Sequence, residues 1–359
     1  MTTLDATRRM AKARTQGSES GVANSSDVAT QRPRLAPTPG SRFVSANGLR
    51  FHYRSLPVKD GAARGGGWDV EVAIHAATDA VSGPAIEPAV DAATDAVSGP
   101  AGGTAAEPTP TLVFLHGIMG HAFEWDAAFD VLRQRYRVIA LDQRGHGRTE
   151  WARPYTVETL GDDVAAVVEA LDLQCVTLVG HSMGGLAAIE AAWRHPGRFD
   201  RLVLVDIAPG TVSAERAAGL AAWLADMAEA AYEGLDEPMA LWRASNPIAP
   251  EPLLRNYVGH ALAPSDDARL RWAYDAAGLA DAVSTWVNHE RRWRALAEIA
   301  IPTLVVRGES STFVSRDDAR EMARTLPDGA WVEIAGAGHD MGVQRPEAVA
   351  AKILQVAGN

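Results

Sequence analysis

Short apolar runs, each long enough for one buried strand, recur along the chain from residue 111 onward. They occupy 111–115, 137–141, 175–179, 201–205, 303–306 and 331–334. Most of them are separated by stretches with apolar residues at helical spacing, as in 157–171, where Leu160, Val164, Val167, Val168 and Leu171 share one face. Strands that alternate with helices predict an α/β fold, with a mostly parallel sheet covered by helices on both faces.

A different pattern precedes these runs. Residues 42–53 have the pattern of two short strands around Asn47-Gly48, the dipeptide that most strongly predicts a two-residue hairpin turn. Two short strands are therefore expected here, forming an antiparallel edge on the parallel sheet. With the six apolar runs they make an eight-stranded sheet.

The first part of this core, predicted over 41–208, is flanked and interrupted by segments without a regular pattern. Residues 1–40 are polar and lack periodicity, which predicts a disordered N-terminal tail. Residues 57–110 contain an identical repeat, since 76–85 recurs as 92–101. Two copies without aromatic residues cannot build a repeat fold, so we expect a flexible surface insertion, with a short strand at 70–74.

One connection is far too long for a simple crossover between parallel strands. Between Asp206 and Pro302 the pattern is helical and is broken by five prolines, which predicts a helical cap over 209–284, with 285–359 returning to the core. Half of the ten tryptophans lie in this connection. Most are expected to anchor the cap, and some to line an apolar pocket. They are Trp223, Trp242, Trp272, Trp286 and Trp293.

Composition narrows the classes of function. The chain has 359 residues, 47% of them hydrophobic, and a net charge of −11, which disfavours binding to nucleic acid or to an anionic membrane. No run is long enough to span a membrane, and the basic N-terminus lacks an apolar signal segment, so a cytoplasmic location is expected. Cys175 is the single cysteine, expected as a small buried side chain. The oligomeric state cannot be predicted.

The clearest chemical motif follows the third of the apolar runs. Gly180-His181-Ser182-Met183-Gly184 has the form G-x-S-x-G, with an apolar strand before it and a helical stretch after it. Small residues allow the strand and the helix to approach closely while Ser182 occupies a strained turn. This context predicts a nucleophile elbow, with Ser182 as the nucleophile.

A second motif supplies candidate donors for a developing negative charge. His116-Gly117-Ile118-Met119-Gly120 follows a strand directly, and such turns aim backbone N–H groups at the space above a nucleophile. The N–H groups of Ile118 and Met183 are the predicted oxyanion hole. His116 is expected to order this loop.

A third motif supplies a candidate base. His339 lies in Gly336-Ala337-Gly338-His339, a glycine-rich loop after the last strand, where a general base is expected late in the chain. His181 is a weaker candidate, because it is fixed in the elbow and points away from the direction in which Ser182 attacks.

The sequence identifies the acidic member of the site less directly. A carboxylate is needed to hold the imidazole in the correct tautomer. Asp206 ends the strand after the elbow, and Glu309 follows the next core strand, so each is a candidate.

Taken together, these motifs resemble the α/β-hydrolase superfamily over 41–56 and 111–357, in its capped, esterase-like subgroup with a Ser nucleophile. Many members carry the acid as G-x-x-D after the strand ending at Arg307, but the fourth position here is Ser311. Similar esterases keep Ser at that place and use an Asp one strand earlier, which matches Asp206. Glu309 stays the alternative acid, and Ser311 is expected to support the site by a hydrogen bond to His339. The resemblance makes 142–148 a structural loop near the site.

The predicted function is hydrolysis of a small-molecule carboxylic ester through an acyl-enzyme, with Ser182, His339 and Asp206 as the triad. Thioester hydrolysis, lactone opening, C–C bond cleavage and cofactor-free perhydrolysis use the same side chains and stay open. A ligand-binding protein that has lost turnover is the non-enzyme alternative. No cofactor is expected, and no metal site, because no His/Cys/Asp cluster has ligand spacing.

Overall fold

Eight strands form one sheet in the order β1-β2-β4-β3-β5-β6-β9-β10. The computed structural model describes residues 40–59 and 109–358, together with Leu35 and Thr38. The strands of β1 to β6 are Ser41–Ala46, Leu49–Leu56, Thr111–Leu115, Arg137–Leu141, Val176–His181 and Arg201–Val205, and β9 and β10 are Thr303–Gly308 and Gly329–Ile334. β2 pairs antiparallel with β1 and β4, and every other neighbouring pair is parallel. The predicted mostly parallel eight-stranded sheet is confirmed.

The predicted hairpin also forms at the predicted turn. Asn47 and Gly48 join β1 to β2 and both have positive φ, 46° and 75°. Positive φ at both central residues is the geometry of a type I′ turn, whose twist matches that of the two strands.

Helices cover both faces of the sheet, as expected. Alternate residues of a strand enter different cores: Val113 and Leu115 belong to one buried cluster, and Leu112 and Phe114 belong to the other. The helices α1 to α3 are Asp126–Leu132, Val157–Ala170 and Met183–Arg194, and α8 to α11 are His289–Glu298, Arg316–Thr325, Met341–Gln344 and Pro346–Ala357. α1 and α11 contribute to the cluster of Leu112, while α2 and α3 contribute to that of Val113.

The long connection between β6 and β9 is mainly helical. It contains α4 to α7, which are Ala214–Ala228, Asp236–Ser245, Glu251–Ala261 and Ala276–Ala282. A small hairpin, β7 (Leu262–Pro264) with β8 (Leu270–Trp272), was not predicted, because three-residue strands are too short to show alternation. Two backbone hydrogen bonds tie the chain after β8 to the core loop 142–148: Gly147 N donates to the Ala273 carbonyl, and Asp275 N donates to the Gly145 carbonyl.

Three of the five tryptophans of this connection are buried, and one of them is bonded to the core. Trp223, Trp272 and Trp286 are buried, and the last of these donates from Nε1 to the carbonyl of Tyr155 in the core. Trp242 is only partly buried and packs against Tyr257 at 4.5 Å between ring centroids.

Cys175 differs from the expectation. It is exposed and has a φ of 51° at the turn before β5, which begins at Val176 rather than at residue 175. The apolar run therefore predicted the strand correctly but placed one residue too many inside it.

Other expectations concern residues that the structure does not describe. These are the tail 1–40, apart from Leu35, Thr38 and Gly40, and nearly all of the insertion 57–110, with its repeat and the strand at 70–74. Within the described part of the chain, no helix combines the length and apolarity needed to cross a bilayer. A cytoplasmic location stays a prediction.

Candidate active site

Ser182 occupies a strained turn between β5 and α3. Its φ of 52° and ψ of −117° lie in a region that residues with a side chain rarely adopt. The turn closes tightly because Gly184 has no side chain: a Cβ there would lie 2.6 Å from the Leu115 carbonyl oxygen. The backbone thus presents the Ser182 hydroxyl at the carboxyl end of the parallel strands.

Ser182, His339 and Asp206 form a continuous hydrogen-bonded chain. The Ser182 Oγ lies 3.0 Å from His339 Nε2, and His339 Nδ1 lies 2.7 Å from Asp206 Oδ2. A carboxylate can only accept, so Nδ1 carries the ring proton and the Nε2 lone pair faces the serine hydroxyl. Such an arrangement can take the proton of the serine hydroxyl as its oxygen becomes a nucleophile.

Asp206 is fully buried, and three donors orient its carboxylate. Besides His339, the Gly308 N–H donates to Oδ1 at 3.0 Å and the Ser311 hydroxyl donates to Oδ2 at 2.6 Å. Ser311 therefore supports Asp206 and does not bond to the histidine as the sequence had suggested. Its oxygen also accepts from the N–H groups of Phe313 and Val314, which fixes its position.

Glu309, the alternative acid, lies elsewhere. It is exposed, and its carboxylate accepts from the Gly336 N–H at 2.8 Å. Among the described residues, its side chain makes no hydrogen bond to His339. It ties the loop after β9 to the loop that leads to the histidine.

Most peptide groups around Gly117 are hydrogen-bonded within the protein. The Gly117 N–H donates to Glu124 Oε2 at 3.2 Å, and its carbonyl accepts from His116 Nδ1 at 2.7 Å and from the Gly120 N–H. Within the described chain, the N–H groups of Ile118 and Met183 make no hydrogen bond. Met183 directly follows Ser182, and a Cβ at Gly117, next to Ile118, would lie 3.4 Å from the Ser182 Cβ. Two unused donors at these positions match the needs of an oxyanion hole.

Two buried histidines hold this loop in their neutral form. His116 Nε2 accepts from the Gln143 N–H at 3.0 Å, and His146 Nε2 accepts from the Met119 N–H at 3.3 Å. Burial lowers the pKa of His116 well below its ordinary value and the pKa of His146 to about 4. Both rings can therefore accept on Nε2 at neutral pH. His146 links the loop 142–148 to residues 116–120, the predicted oxyanion loop, consistent with the structural role expected for 142–148.

His181 is the exception, because it pairs with a carboxylate. Its Nδ1 lies 2.7 Å from Glu124 Oε1, and its Nε2 donates to the His339 carbonyl at 3.0 Å. Burial alone would lower the pKa of His181, but the charge and hydrogen bond of Glu124, with the charges of Asp340 and Asp206, raise it to about 9. As predicted, this ring does not face Ser182.

Sequence reasoning missed Glu124, and it also missed Gln344, whose Oε1 accepts from the Gly338 N–H at 2.6 Å next to His339. No pattern marks either residue. Glu124 lies 57 residues before its partner and Gln344 lies in a four-residue helix, so only tertiary packing brings them to the site.

One group of described residues lies close enough to be considered as metal ligands. The ligand atoms of His181, His339 and Asp340 lie within 4.8 Å of one another. The ring nitrogens of both histidines already bond to protein groups, so a metal would have to displace these contacts. The sequence-based expectation of no metal site stays a prediction.

Comparison with known proteins agrees with this fold. Residues 110–346 match the family model of the alpha/beta hydrolase fold. Esterase Rv0045c of Mycobacterium tuberculosis is 29% identical over 284 residues, covering 77% of this chain and 91% of the relative. The 2-(acetamidomethylene)succinate hydrolase of Mesorhizobium japonicum is 28% identical, covering 66% and 84%.

Solved structures give the same result. A structure of E-2-(acetamidomethylene)succinate hydrolase has a TM-score of 0.69 at 23% identity, covering 89% of this chain and 99% of its own. A structure of the M. tuberculosis esterase has a TM-score of 0.65 at 22% identity, covering 99% and 97%. The chain belongs to the alpha/beta hydrolase fold family, and it is a hydrolase.

The charge of His181 can be tested directly. Nitrogen-15 NMR of the imidazole should show both ring nitrogens protonated at pH 7.5 and a pKa of about 9. In Glu124→Gln the pKa should fall below the ordinary value of about 6.5, because burial is then poorly opposed. A wild-type ring that is neutral at pH 7.5 would contradict the assignment.

The same shift predicts a pH dependence of stability. The folded-state pKa of about 9 exceeds the unfolded value of about 6.5, so the proton stabilises the fold fully below pH ~6.5. This contribution is lost as the pH rises through the folded-state pKa. Urea unfolding should therefore show the free-energy difference between wild type and Glu124→Gln shrinking between pH 6.5 and 9.5, roughly the span of the two pKa values.

Proposed function

We propose that the protein is a serine hydrolase that cleaves a carboxylic ester through an acyl-enzyme intermediate. The observation that carries this proposal is the chain from the Ser182 hydroxyl through the His339 ring to the Asp206 carboxylate, at 3.0 and 2.7 Å. Relatives named as esterases support an ester as the substrate.

In the first half-reaction, Ser182 Oγ attacks the ester carbonyl while its proton passes to His339 Nε2. The carbonyl oxygen becomes an oxyanion, which the N–H groups of Ile118 and Met183 would stabilise. Asp206 stabilises the imidazolium that forms. The C–O bond to the alcohol then breaks, and the alcohol leaves with the proton from Nε2.

In the second half-reaction, water enters where the alcohol left. His339 Nε2 takes one proton from the water as its oxygen attacks the acyl carbonyl, and the same donors hold the second oxyanion. Collapse of this intermediate returns the proton to Ser182 Oγ and releases the carboxylic acid. Over the cycle, one ester and one water give one acid and one alcohol.

The surroundings of the triad favour an apolar acyl group. Phe313 stacks on the His339 ring at 4.0 Å between centroids, and Ile118 and Met119 are partly buried apolar side chains of the oxyanion loop. Thioesters, lactones, C–C bonds and perhydrolysis would use the same triad, so the substrate panel below includes a thioester.

We also propose that 209–284 acts as a cap over this site, with 41–208 and 285–359 as the core. Asn246, at the end of α5, accepts from Gln344 Nε2 at 2.7 Å, and Tyr257 of α6 accepts on its carbonyl from His121. The first contact connects the cap with the short helix α10 that follows the histidine loop, and the second connects it with the loop before α1.

The nucleophile can be tested by covalent labelling. A fluorophosphonate probe should label wild type at one residue, found by peptide mass spectrometry to be Ser182, because the triad activates this hydroxyl alone. Ser182→Ala should stay unlabelled and hydrolyse neither p-nitrophenyl esters nor an acyl-CoA thioester. Wild type that fails to react, or that only binds the esters, would contradict the enzymatic proposal in favour of a ligand-binding role.

The acid has its own test. Asp206→Asn should lower kcat by about 10⁴-fold, the loss caused by a triad acid that no longer sets the histidine tautomer. Glu309→Gln is the matched control and should stay within about threefold of wild type, since the residue is exposed and the amide oxygen can still accept from the Gly336 N–H. The reverse result would assign the acid to Glu309.

Support of the acid by Ser311 is testable separately. Ser311→Ala should lower kcat about tenfold without changing KM, because a hydrogen bond to a charged group contributes about 1.5–3 kcal/mol and part is retained through Gly308. The neighbouring Ser310, whose side chain is exposed, provides the control Ser310→Ala. Equal rates for the two variants would show that the Ser311 contact is dispensable.

A further inference from the structure

A second buried pair lies behind the triad and is not used in the proposed reaction. The side chains of Glu124 and His181 are only 6% and 3% exposed, and they bond to each other at 2.7 Å. A buried carboxylate and imidazole are costly unless each is fully paired. The other hydrogen bonds of Glu124 and His181 therefore indicate the structural role of the pair.

Each member of the pair reaches one loop of the site. Glu124 Oε2 accepts from the Gly117 N–H at 3.2 Å, one residue before Ile118. The oxyanion loop also wraps closely around this carboxylate, since a Cβ at Gly120 would lie 2.6 Å from Oε2. At the other end, His181 Nε2 donates to the main-chain carbonyl of His339 at 3.0 Å.

We propose that Glu124 and His181 form a hydrogen-bonded bridge that sets the spacing between the oxyanion loop and the loop carrying His339. This proposal rests on the proposed function, because the two loops matter together only if Ser182 is acylated. Neither residue touches the substrate, so both are positioning residues.

The spacing matters because the two loops act on the same atoms. His339 must lie near the Ser182 Oγ while Ile118 faces the oxygen of the attacked carbonyl. Displacement of reacting groups by about 1 Å can cost on the order of 10²-fold in rate. The bridge is a short, rigid path of side chains that connects the two loops and, through His181, the elbow itself.

Replacement by an amide separates bridging from charge. In Glu124→Gln, the amide oxygen can still accept from Gly117, and the amide NH₂ can donate to Nδ1 of a neutral His181. That ring then carries its proton on Nε2 and still donates to the His339 carbonyl. Glu124→Gln therefore keeps every contact of the bridge, whereas Glu124→Ala removes it.

The test compares the steady-state kcat and KM of four variants. Glu190 provides the matched control: it is 1% exposed, lies on α3 directly after the elbow, and pairs with Arg291 at 2.8 Å outside the site. Glu124→Ala, Glu124→Gln, Glu190→Ala and Glu190→Gln are assayed with p-nitrophenyl acetate at a temperature well below each Tm. Fluorophosphonate titration gives the concentration of folded, reactive protein in each sample.

The expected result is a kcat for Glu124→Ala about 10- to 100-fold below wild type with KM nearly unchanged, in line with a misplaced catalytic group. Glu124→Gln should recover kcat to within about threefold, and both Glu190 variants should keep wild-type kcat whatever their Tm. Wild-type kcat in Glu124→Ala would overturn the bridge. Equal losses in Glu124→Ala and Glu124→Gln would also overturn it, because charge alone would then matter.

Two further arms keep the result interpretable. If Glu124→Ala does not fold, His181→Asn replaces it. The asparagine amide mimics Nδ1 toward Glu124 but has no donor for the His339 carbonyl, so a similar loss of kcat is expected. A wild-type kcat in His181→Asn would overturn the bridge. Failure of the fluorophosphonate to label wild type would overturn the proposed function together with the bridge. If wild type is labelled and the bridge variant keeps the wild-type kcat, only the bridge is overturned.

Discussion

The buried carboxylate of Asp206 is the constraint on which the arrangement of the site depends. It lies at the end of β6 with no exposure to water, so its charge must be stabilised by donors of the protein. The donors come from three separate places: the end of β9, the loop after it, and the loop after β10. Hydrogen bonds to this single carboxylate thus connect the carboxyl ends of neighbouring strands. The position of His339, and through it the environment of Ser182, follows from that requirement.

Around this charge, burial acts on the histidines in opposite ways according to their partners. His116 and His146 face backbone groups, so burial keeps them neutral and each can accept on one nitrogen while it donates from the other. His181 faces Glu124 and becomes a cation in an equally buried place. The predicted oxyanion loop is therefore held by two neutral rings and by the carboxylate of one buried ion pair. Among the described residues, the N–H groups of Gly117 and Met119 are bonded, whereas that of Ile118 is not.

The sequence predicted those features that local pattern controls. Apolar runs located the strands, Asn47-Gly48 located the hairpin turn, and the glycines beside Ser182 located the sharp turn at the end of β5. The choice between Asp206 and Glu309 could not be made by pattern alone, because both follow core strands and only packing decides which carboxylate faces the histidine. Glu124 carried no signal at all, since its contact with His181 joins the turn before α1 to the end of β5, 57 residues away. Local geometry is readable from sequence, but the pairing of buried polar groups depends on how the elements pack.

The histidine loop is also connected to the long segment between β6 and β9, and this limits how independently the two can change. Gly338 N–H can only donate, so the Gln344 side chain must turn its oxygen toward it and its NH₂ toward Asn246. Asn246 is fully buried at the end of α5, within the connection between β6 and β9. A displacement of α5 therefore breaks a buried hydrogen bond unless Gln344, and with it the peptide beside His339, moves as well. Sequence changes that reshape the long connection for a different substrate must preserve this contact or alter the position of the histidine.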